Sequence, residues 1–273
     1  FKAGEVKKAN ILKEKSLVYK VKTKKLQDQL QKTNSLLFDL RTQVPNIPHQ
    51  SVPIGVSEED NEEVFNSGAI PKLEDWAVPH WELAKKYDLI DFDLGNKITG
   101  AGFPVYKGKG AKLQRGLINF FLDRNIAAGY KEVQLPLLVN EESGFGTGQL
   151  PDKEGNMYPV QYENLYLIPT AEVPITNIYR NNLLDVSELP IALTGYTPCF
   201  RREAGSYGAH VRGLNRLHQF DKVEIVRIEE PENALQALEK MVDHIKSILN
   251  ELEMPYRILK LCGGDLGFTS ALT

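Results

Sequence analysis

The stretch that decides the fold is residues 216–224, which read RLHQFDKVE. Successive side chains of a β-strand point to opposite faces, so every second residue shares a face. The odd positions include the apolar residues Leu217, Val223 and Ile225, which predicts contact with a core. The even positions carry cations, one aromatic ring and one acid: Arg216, His218, Phe220, Lys222 and Glu224. The pattern predicts a strand over 215–228 with a row of functional side chains on its polar face.

A partner strand precedes this one in the chain. Residues 196–203 have the pattern of a strand, and residues 204–214, which join the two strands, contain three glycines. This arrangement predicts an antiparallel hairpin with a long loop. Alternation then predicts that Arg201 and Glu203 share one face of the first strand.

The polar face of this hairpin matches the chemistry of an aminoacyl adenylate. Arginine forks onto phosphate oxygens, and Phe220 offers a ring for base stacking, which contributes roughly 1–3 kcal/mol. Glu203 can accept a hydrogen bond from an exocyclic amine, and Glu224 can neutralise an ammonium group. A solvent-facing strand of mixed charge is the alternative, and the spacing alone leaves both interpretations open.

The remainder of the body mixes helices and strands. The predicted elements are helices over 111–128, 170–180 and 231–252, strands over 130–135 and 256–261, and a glycine-rich loop over 144–155. Hairpin strands with helices packed alongside predict an α+β fold built on an antiparallel sheet.

The first part of the chain differs from the body in pattern and charge. Residues 5–44 contain neither Pro nor Gly, and apolar residues recur with a period near 3.5, which predicts a helix with a coiled-coil seam that ends before Pro45. Residues 1–43 carry a net charge of +7 and the remainder −10. A basic leader predicts a polyanionic partner; a solvated lysine-rich helix is the alternative.

Composition excludes several classes of protein. With 42% hydrophobic and 25% charged residues in a chain of 273, the sequence is that of a globular protein, not a disordered or fibrous one. No apolar run reaches the roughly 18 residues of a membrane helix, so we expect no membrane span. Two cysteines cannot build a disulfide framework, so we expect a cytoplasmic location. Cys199, His210 and His218 lack the spacing of zinc ligands.

Further segments, together with residues 216–224, carry a family resemblance. They are PNIP at 45–48, GYKEVQLP at 129–136, GTGQLP at 146–151, TAEVP at 170–174 and FRREAG at 200–205. With these segments in this order, the chain resembles the seryl-tRNA synthetases, which are class II aminoacyl-tRNA synthetases. The resemblance implies the class II antiparallel sheet flanked by helices, preceded by a long coiled-coil arm helix. It also implies ATP-dependent activation of L-serine and transfer of the seryl group to tRNA(Ser).

The resemblance implies a role for each matching residue. Arg201 is the expected catalytic residue, which contacts both the α-phosphate of ATP and the serine carboxylate. The other expected ATP-binding residues are Arg202, Glu203 at the adenine amine, Arg216 at the pyrophosphate, Leu217 through its backbone at the base, and Phe220 in stacking. The other expected serine-binding residues are Thr170, Ala171, Glu172 and Glu224, with Glu224 at the ammonium group.

Cofactors, partners and organisation follow from the same resemblance. ATP and Mg²⁺ are the expected cofactors, with the magnesium ligands beyond Thr273 and no metal site in this span. The expected partners are L-serine, tRNA(Ser), tRNA(Sec) as a second candidate, and a second copy of the chain in a homodimer. The expected organisation is a partial tRNA-binding arm at 1–44, a connector at 45–79 and a class II core at 80–273. We expect a fragment that lacks the first arm helix and the third motif, and that is inactive alone.

Two other functions remain as alternatives. The first is a synthetase-like paralogue that binds tRNA or adenylate without charging. The intact Arg201, Glu203, Phe220 and Glu224 favour the enzyme, because a non-catalytic paralogue would be free to lose them. The second is a class II enzyme for another amino acid such as threonine, which the segment at 170–174 and the missing zinc-ligand spacing disfavour.

Overall fold

The computed structural model describes residues 6–153, 155–203 and 212–273. Most of the predicted hairpin loop, residues 204–211 with His210, lies outside the described residues, as do residues 1–5 and Glu154. The chain divides into two compact units, Phe1–Ile47 and Pro48–Thr273. Within the described residues, no helix combines the length and the apolar character that crossing a membrane requires.

Seven helices and ten strands make up the described chain. The helices are α1 (Val6–Arg41), α2 (His80–Lys86), α3 (Phe92–Ile98), α4 (Gly108–Ala127), α5 (Glu141–Gly146), α6 (Glu172–Asn177) and α7 (Ala234–Glu251). The strands are β1 (Glu62–Ser67), β2 (Ile90–Asp91), β3 (Val105–Tyr106), β4 (Lys131–Glu132), β5 (Leu138–Asn140), β6 (Tyr158–Pro159), β7 (Leu165–Leu167), β8 (Ile191–Phe200), β9 (Gln219–Ile228) and β10 (Tyr256–Lys260).

Helix α1 accounts for most of the first unit and confirms the long helix predicted there. It contains neither Pro nor Gly over 36 residues, and it ends in a hydrogen-bonded turn before Pro45, which has no N–H to donate. No residue of α1 is buried, and Leu26, Leu30 and Leu37 of the predicted seam are each more than half exposed. The described chain therefore leaves the seam uncovered, and a partner helix stays a prediction.

The second unit is built around the antiparallel pair β8–β9, which confirms the predicted α+β class. All ten residues of β8 pair with β9, from Ile191 opposite Ile228 to Phe200 opposite Gln219, and β4 adds a short parallel edge to β8. Two strands predicted from alternation change length. The strand expected at 196–203 starts earlier and stops at Phe200, and the strand expected at 215–228 starts only at Gln219.

Both faces of this sheet are covered by other elements. Gly195 lies directly opposite Glu224 and therefore shares its face; a Cβ on Gly195 would lie 2.9 Å from the Val133 carbonyl oxygen and 3.6 Å from Ile175 of α6. On the other face, Asn125 of α4 donates a hydrogen bond to Thr194 of β8. Burial therefore does not alternate along β9, where every residue after Gln219 is half-buried.

Three further sheets lie among the described residues of the same unit, one of them the short antiparallel pair β2–β3. Strands β5, β7 and β6 form an antiparallel sheet whose Val139 packs with Ile168 and Val173. Strand β1, which falls within the stretch 45–79 expected to be a connector, pairs antiparallel with β10. The residues around β1 are rich in Pro, Gly and acids, and its partner strand lies almost 200 residues away in sequence. The local sequence pattern therefore did not predict this strand.

Other local predictions were wrong in extent. The glycine-rich stretch 144–155 was expected to be a loop, but its first residues finish α5, whose Asn140 cap accepts a hydrogen bond from the Ser143 N–H. The strand expected at 130–135 forms ladder pairs only at Lys131 and Glu132. The helix expected over 170–180 covers only Glu172–Asn177.

Candidate active site

Strand β9 and the segment before α6 form one half of the site. The Glu224 carboxylate accepts a hydrogen bond from Thr170 Oγ1 at 2.7 Å and lies 2.7 Å from Lys222 Nζ. Thr170 is buried, and its hydroxyl also accepts a hydrogen bond from the Glu172 N–H at 3.2 Å. Thr194 Oγ1 donates to the Glu224 main-chain oxygen at 2.8 Å. The carboxylate and the backbone of Glu224 are therefore both fixed.

Glu172 adds a second acid next to Glu224. Burial of its carboxyl raises the pKa of Glu172, the charge of Glu224 raises it further, and Lys222 opposes the shift. Two acids near one lysine carry a net negative charge, which favours the binding of a further cation. Ala171 is fully buried with Ile175 and Leu193, so its methyl group belongs to the core.

Arg201 joins this half to the nucleotide half. Its N–H donates to the His218 carbonyl oxygen at 2.9 Å, just beyond the last ladder pair of β8 and β9. Its guanidinium Nε donates to the Pro169 carbonyl oxygen at 3.3 Å, and its Cζ lies 5.2 Å from the Phe220 ring centroid. Since Pro169 precedes Thr170, the structure brings Arg201, Phe220 and Glu224 to one connected site. A cavity of about 340 Å³ opens beside Arg201.

Glu203 and Arg216 do not lie where alternation placed them. Both are beyond the strand ends, because β8 stops at Phe200 and β9 starts at Gln219. Glu203 has a φ of 48°, which is outside the extended region of a strand. The prediction that strand alternation sets their faces was therefore wrong. A different contact joins them: Arg216 Nε donates to Glu203 Oε2 in an ion pair.

Arg202 and Leu217 contribute differently from the other predicted residues. Arg202 is exposed, and its main-chain N–H donates to the Asn156 carbonyl oxygen at 2.9 Å. Leu217 is buried, so its side chain packs inside the protein, beside a cavity of about 280 Å³ that Phe220 also borders. Any contact of Leu217 with a base would use its main chain.

Sequence reasoning missed the partners of Asp221 and His218. Asp221 lies on the odd face that was expected to be apolar, where it accepts a hydrogen bond from Tyr196 at 2.6 Å and another from Gln114 of α4. Burial and the Asp221 hydrogen bond raise the pKa of Tyr196. His218 Nδ1 lies 2.7 Å from the Tyr158 hydroxyl. Asp221 is an acid at one of the odd positions that were expected to be apolar. It was the sequence signal that could have indicated the contacts with Tyr196 and Gln114.

Comparison with known proteins identifies relatives of the chain. Residues 158–271 match the tRNA synthetase class II core domain (G, H, P, S and T). The chain is 48% identical to the serine–tRNA ligase of Salinibacter ruber over 98% of its own length, and 47% identical to that of Desulfitobacterium hafniense over its whole length. It spans 63% and 64% of those two proteins.

A solved structure agrees with these matches. The seryl-tRNA synthetase of Pyrococcus horikoshii, solved in complex with ATP, superposes with a TM-score of 0.86 at 32% identity, over 91% of this chain and 60% of that one. Over nearly all of its own length the chain is therefore a homologue of serine–tRNA ligases, and residues 158–271 match the class II tRNA synthetase core domain.

Proposed function

We propose that the protein activates L-serine with ATP and transfers the seryl group to tRNA(Ser), the activity of a serine–tRNA ligase. The observation that carries this proposal is the connected path from Glu224 through Thr170 and Pro169 to Arg201 and Phe220. An acid, a guanidinium and an aromatic ring follow one another along this path. Seryl-adenylate presents an ammonium group, a phosphate and a base in the same order.

The amino-acid end of the ligand binds in the acidic half. The serine ammonium group pairs with Glu224 and lies near Thr170 and Glu172, where its charge opposes the burial and the Glu224 repulsion that raise the Glu172 pKa. Ala171 contributes through its main chain, because its methyl group is in the core. The serine carboxylate faces Arg201, whose guanidinium forks onto oxygens.

The nucleotide end binds at Phe220, near the start of β9, and at the residues just beyond the strand ends. Adenine stacks on Phe220 and meets the Leu217 main chain, and its amine donates to Glu203. Arg202 and Arg216 bind phosphate oxygens. Because Arg216 and Glu203 pair with each other, nucleotide binding exchanges this ion pair for contacts with the ligand.

No protein nucleophile is needed for the first step. A serine carboxylate oxygen forms a bond to the α-phosphorus of ATP, and the bond from that phosphorus to the bridging oxygen breaks, so that pyrophosphate leaves. Arg201 holds both reactants and stabilises the charge that develops, which is catalysis by positioning and electrostatics. The terminal ribose hydroxyl of tRNA then attacks the seryl carbonyl carbon, and AMP leaves.

Magnesium accompanies ATP in this proposal and balances the phosphate charge. Among residues 6–153, 155–203 and 212–273, no group of three His, Cys, Asp or Glu side chains could hold a metal ion. No step is therefore assigned to a metal ligand in this part of the chain.

The proposal also covers organisation and partners. We propose that residues 1–44 form part of a tRNA-binding arm, and that residues 45–79 connect it to a catalytic core at 80–273 and add β1 to that core by pairing with β10. Exposed lysines of α1 would bind RNA phosphates of tRNA(Ser), and of tRNA(Sec) as a second candidate, with strong salt dependence. We also propose that the protein acts in the cytoplasm as a homodimer.

Calorimetric titration with sulfamoyl analogues of aminoacyl adenylates tests the proposed substrate. We expect the chain to bind the seryl analogue at least tenfold more tightly than the glycyl, prolyl, histidyl or threonyl analogue. Equal binding of all five, or a preference for another amino acid, would contradict the serine assignment. Serine-dependent pyrophosphate exchange and charging of tRNA(Ser) by the whole protein separate the enzyme from a paralogue, which would bind the analogue without either reaction.

A further inference from the structure

Helix α2 contacts the chain segment that leads into β9. Leu214 N–H donates a hydrogen bond to His80 Nε2 at 2.8 Å. The Arg212 guanidinium lies over the Trp81 ring, with its Cζ 5.6 Å from the ring centroid. The rings of His80 and Trp81 meet edge to face with centroids 5.0 Å apart. The neighbouring rings of His80 and Trp81 therefore contact Leu214 and Arg212, which are alternate residues of the segment before β9.

The main chain comes unusually close to His80 between these two contacts. Gly213 has a φ of +72°, and a Cβ at this position would lie 2.2 Å from His80 Nε2. Only glycine allows both the left-handed backbone and this approach. The close packing indicates one defined position for residues 212–214 on α2.

A second attachment lies four residues further along. His218 N–H donates to the Gly102 carbonyl oxygen at 2.9 Å, and the His218 ring stacks on Phe103 with centroids 5.5 Å apart. The segment 212–218 is thus held at both ends. Arg216 lies between the two attachments and reaches out to Glu203.

We propose that His80 and Trp81 are positioning residues for ATP, which fix the segment 212–218 so that Arg216 meets the β- and γ-phosphates. This inference rests on the proposed function, in which Arg216 binds the pyrophosphate part of ATP. The two rings act through Arg216 and do not themselves touch the nucleotide. The role is selective: AMP lacks the two phosphates that Arg216 contacts, and its base meets Leu217, whose neighbour His218 keeps its own attachment to Gly102 and Phe103. AMP binding therefore depends little on the attachment to α2.

Calorimetric titration of the chain with ATP and with AMP tests this role. We expect His80→Ala to weaken ATP binding about three- to tenfold, as the loss of one hydrogen bond implies, and to leave AMP affinity within about twofold of the parent value. His80→Gln should restore ATP binding, because its side-chain oxygen can accept from the Leu214 N–H. His49→Ala is the matched control, since the His49 ring bonds locally to Ser51, and should change neither affinity.

Three outcomes would overturn the inference. Unchanged ATP binding in His80→Ala removes the role, and equal weakening of ATP and AMP shows a general structural effect instead. Failure of the parent chain to bind ATP contradicts the proposed function and therefore this role as well. If the parent binds ATP and only the His80→Ala result differs from expectation, the role fails while the proposed function stands. If His80→Ala does not fold, Arg212→Ala removes the contact with Trp81 from the other side, and the same selective loss of ATP binding is expected, with Arg212→Lys retaining the cation over the ring.

Discussion

The two halves of the candidate site are held in different ways. Phe220, Lys222 and Glu224, here called the strand group, lie within the ten-pair ladder of β8 and β9. Arg201, Glu203 and Arg216, here called the end group, lie beyond the last ladder pair. The ladder fixes the backbone of the strand group, whereas side-chain contacts and the flanking loops position the end group.

This difference indicates which half changes when ligand binds. Glu224 already holds Thr170 and Lys222 around a site that favours a cation. Glu203 and Arg216 likewise pair with each other, but the Arg216 side chain is 55% exposed, whereas that of Lys222 is 33% exposed. The Glu203 side chain is only 12% exposed, so its carboxylate needs a new partner when the pair is exchanged, and the proposed contact with the adenine amine supplies one. We therefore expect a prepared amino-acid half, and a nucleotide half in which the ladder fixes Phe220 while Glu203 and Arg216 change partners.

Arg201 joins the two halves, so its loss should have the largest effect. Arg201→Ala removes charge-assisted hydrogen bonds of about 1.5–3 kcal/mol each, and we expect binding of the seryl-adenylate analogue to weaken by at least about 100-fold. Calorimetric titration measures this change. Arg257→Ala is the control, because Arg257 lies on β10 and is 3.7 Å from Glu63. Near-normal binding by Arg201→Ala would separate the halves and contradict the shared site.

Glu224→Gln tests the prepared half alone. The substitution keeps the shape but removes the charge that meets the ammonium group, at a cost of about 2–3 kcal/mol. We expect analogue binding to fall roughly 30- to 150-fold while AMP binding stays the same. Glu229→Gln, which removes an acid paired with Arg227 at the end of β9, should leave both affinities unchanged. A loss of AMP binding in Glu224→Gln would mean that the two halves are not separable.

Phe220→Ala tests the one ring that the strand group offers to the nucleotide. Stacking contributes about 1–3 kcal/mol, so AMP and ATP should each bind roughly 5- to 150-fold more weakly. Phe220→Tyr retains the ring and should retain the affinity. Fluorescence or calorimetric titration with AMP is sufficient, and unchanged AMP affinity in Phe220→Ala would remove Phe220 from the stacking role.

Glu172 gives the smallest expected effect, which concerns stability. A raised pKa in the folded protein means that ionised Glu172 destabilises the fold above its unfolded pKa, and that this penalty disappears as the pH falls and the carboxyl is protonated in both states. Glu172→Gln should therefore raise the melting temperature at pH 7, and the gain should be lost in acid. Glu239→Gln on the exposed side of α7 is the control. An equal rise in melting temperature at pH 7 and in acid would contradict the electrostatic cause.

Sequence reasoning succeeded where the deciding contacts are regular. Alternation correctly grouped Phe220, Lys222 and Glu224, since a paired strand imposes a period of two. The long helix α1 was also predicted, because the absence of Pro and Gly acts locally. The same alternation placed Arg216 and Glu203 on the strands. A strand ends where pairing with its neighbour stops, and alternation alone does not show that point.

Long-range contacts account for the remaining errors. The pairing of β1 with β10 and the α2 contact with Leu214 join residues far apart in sequence. The seryl-tRNA synthetase resemblance predicted roles for the site residues, but only coordinates reveal that Glu203 and Arg216 pair and that Leu217 is buried. A polar residue such as Asp221 on a face expected to be apolar indicates that a long-range contact exists, but it does not identify the residue that it contacts.

A crystal structure of the chain with the sulfamoyl analogue of seryl-adenylate tests the central claim most directly. We predict one bound molecule whose ammonium group contacts Glu224, whose sulfamoyl group contacts Arg201 and whose adenine stacks on Phe220, with Glu203 and Arg216 separated. An analogue that binds at another surface, or one whose adenine and ammonium group do not contact Phe220 and Glu224 in the same molecule, would contradict the account.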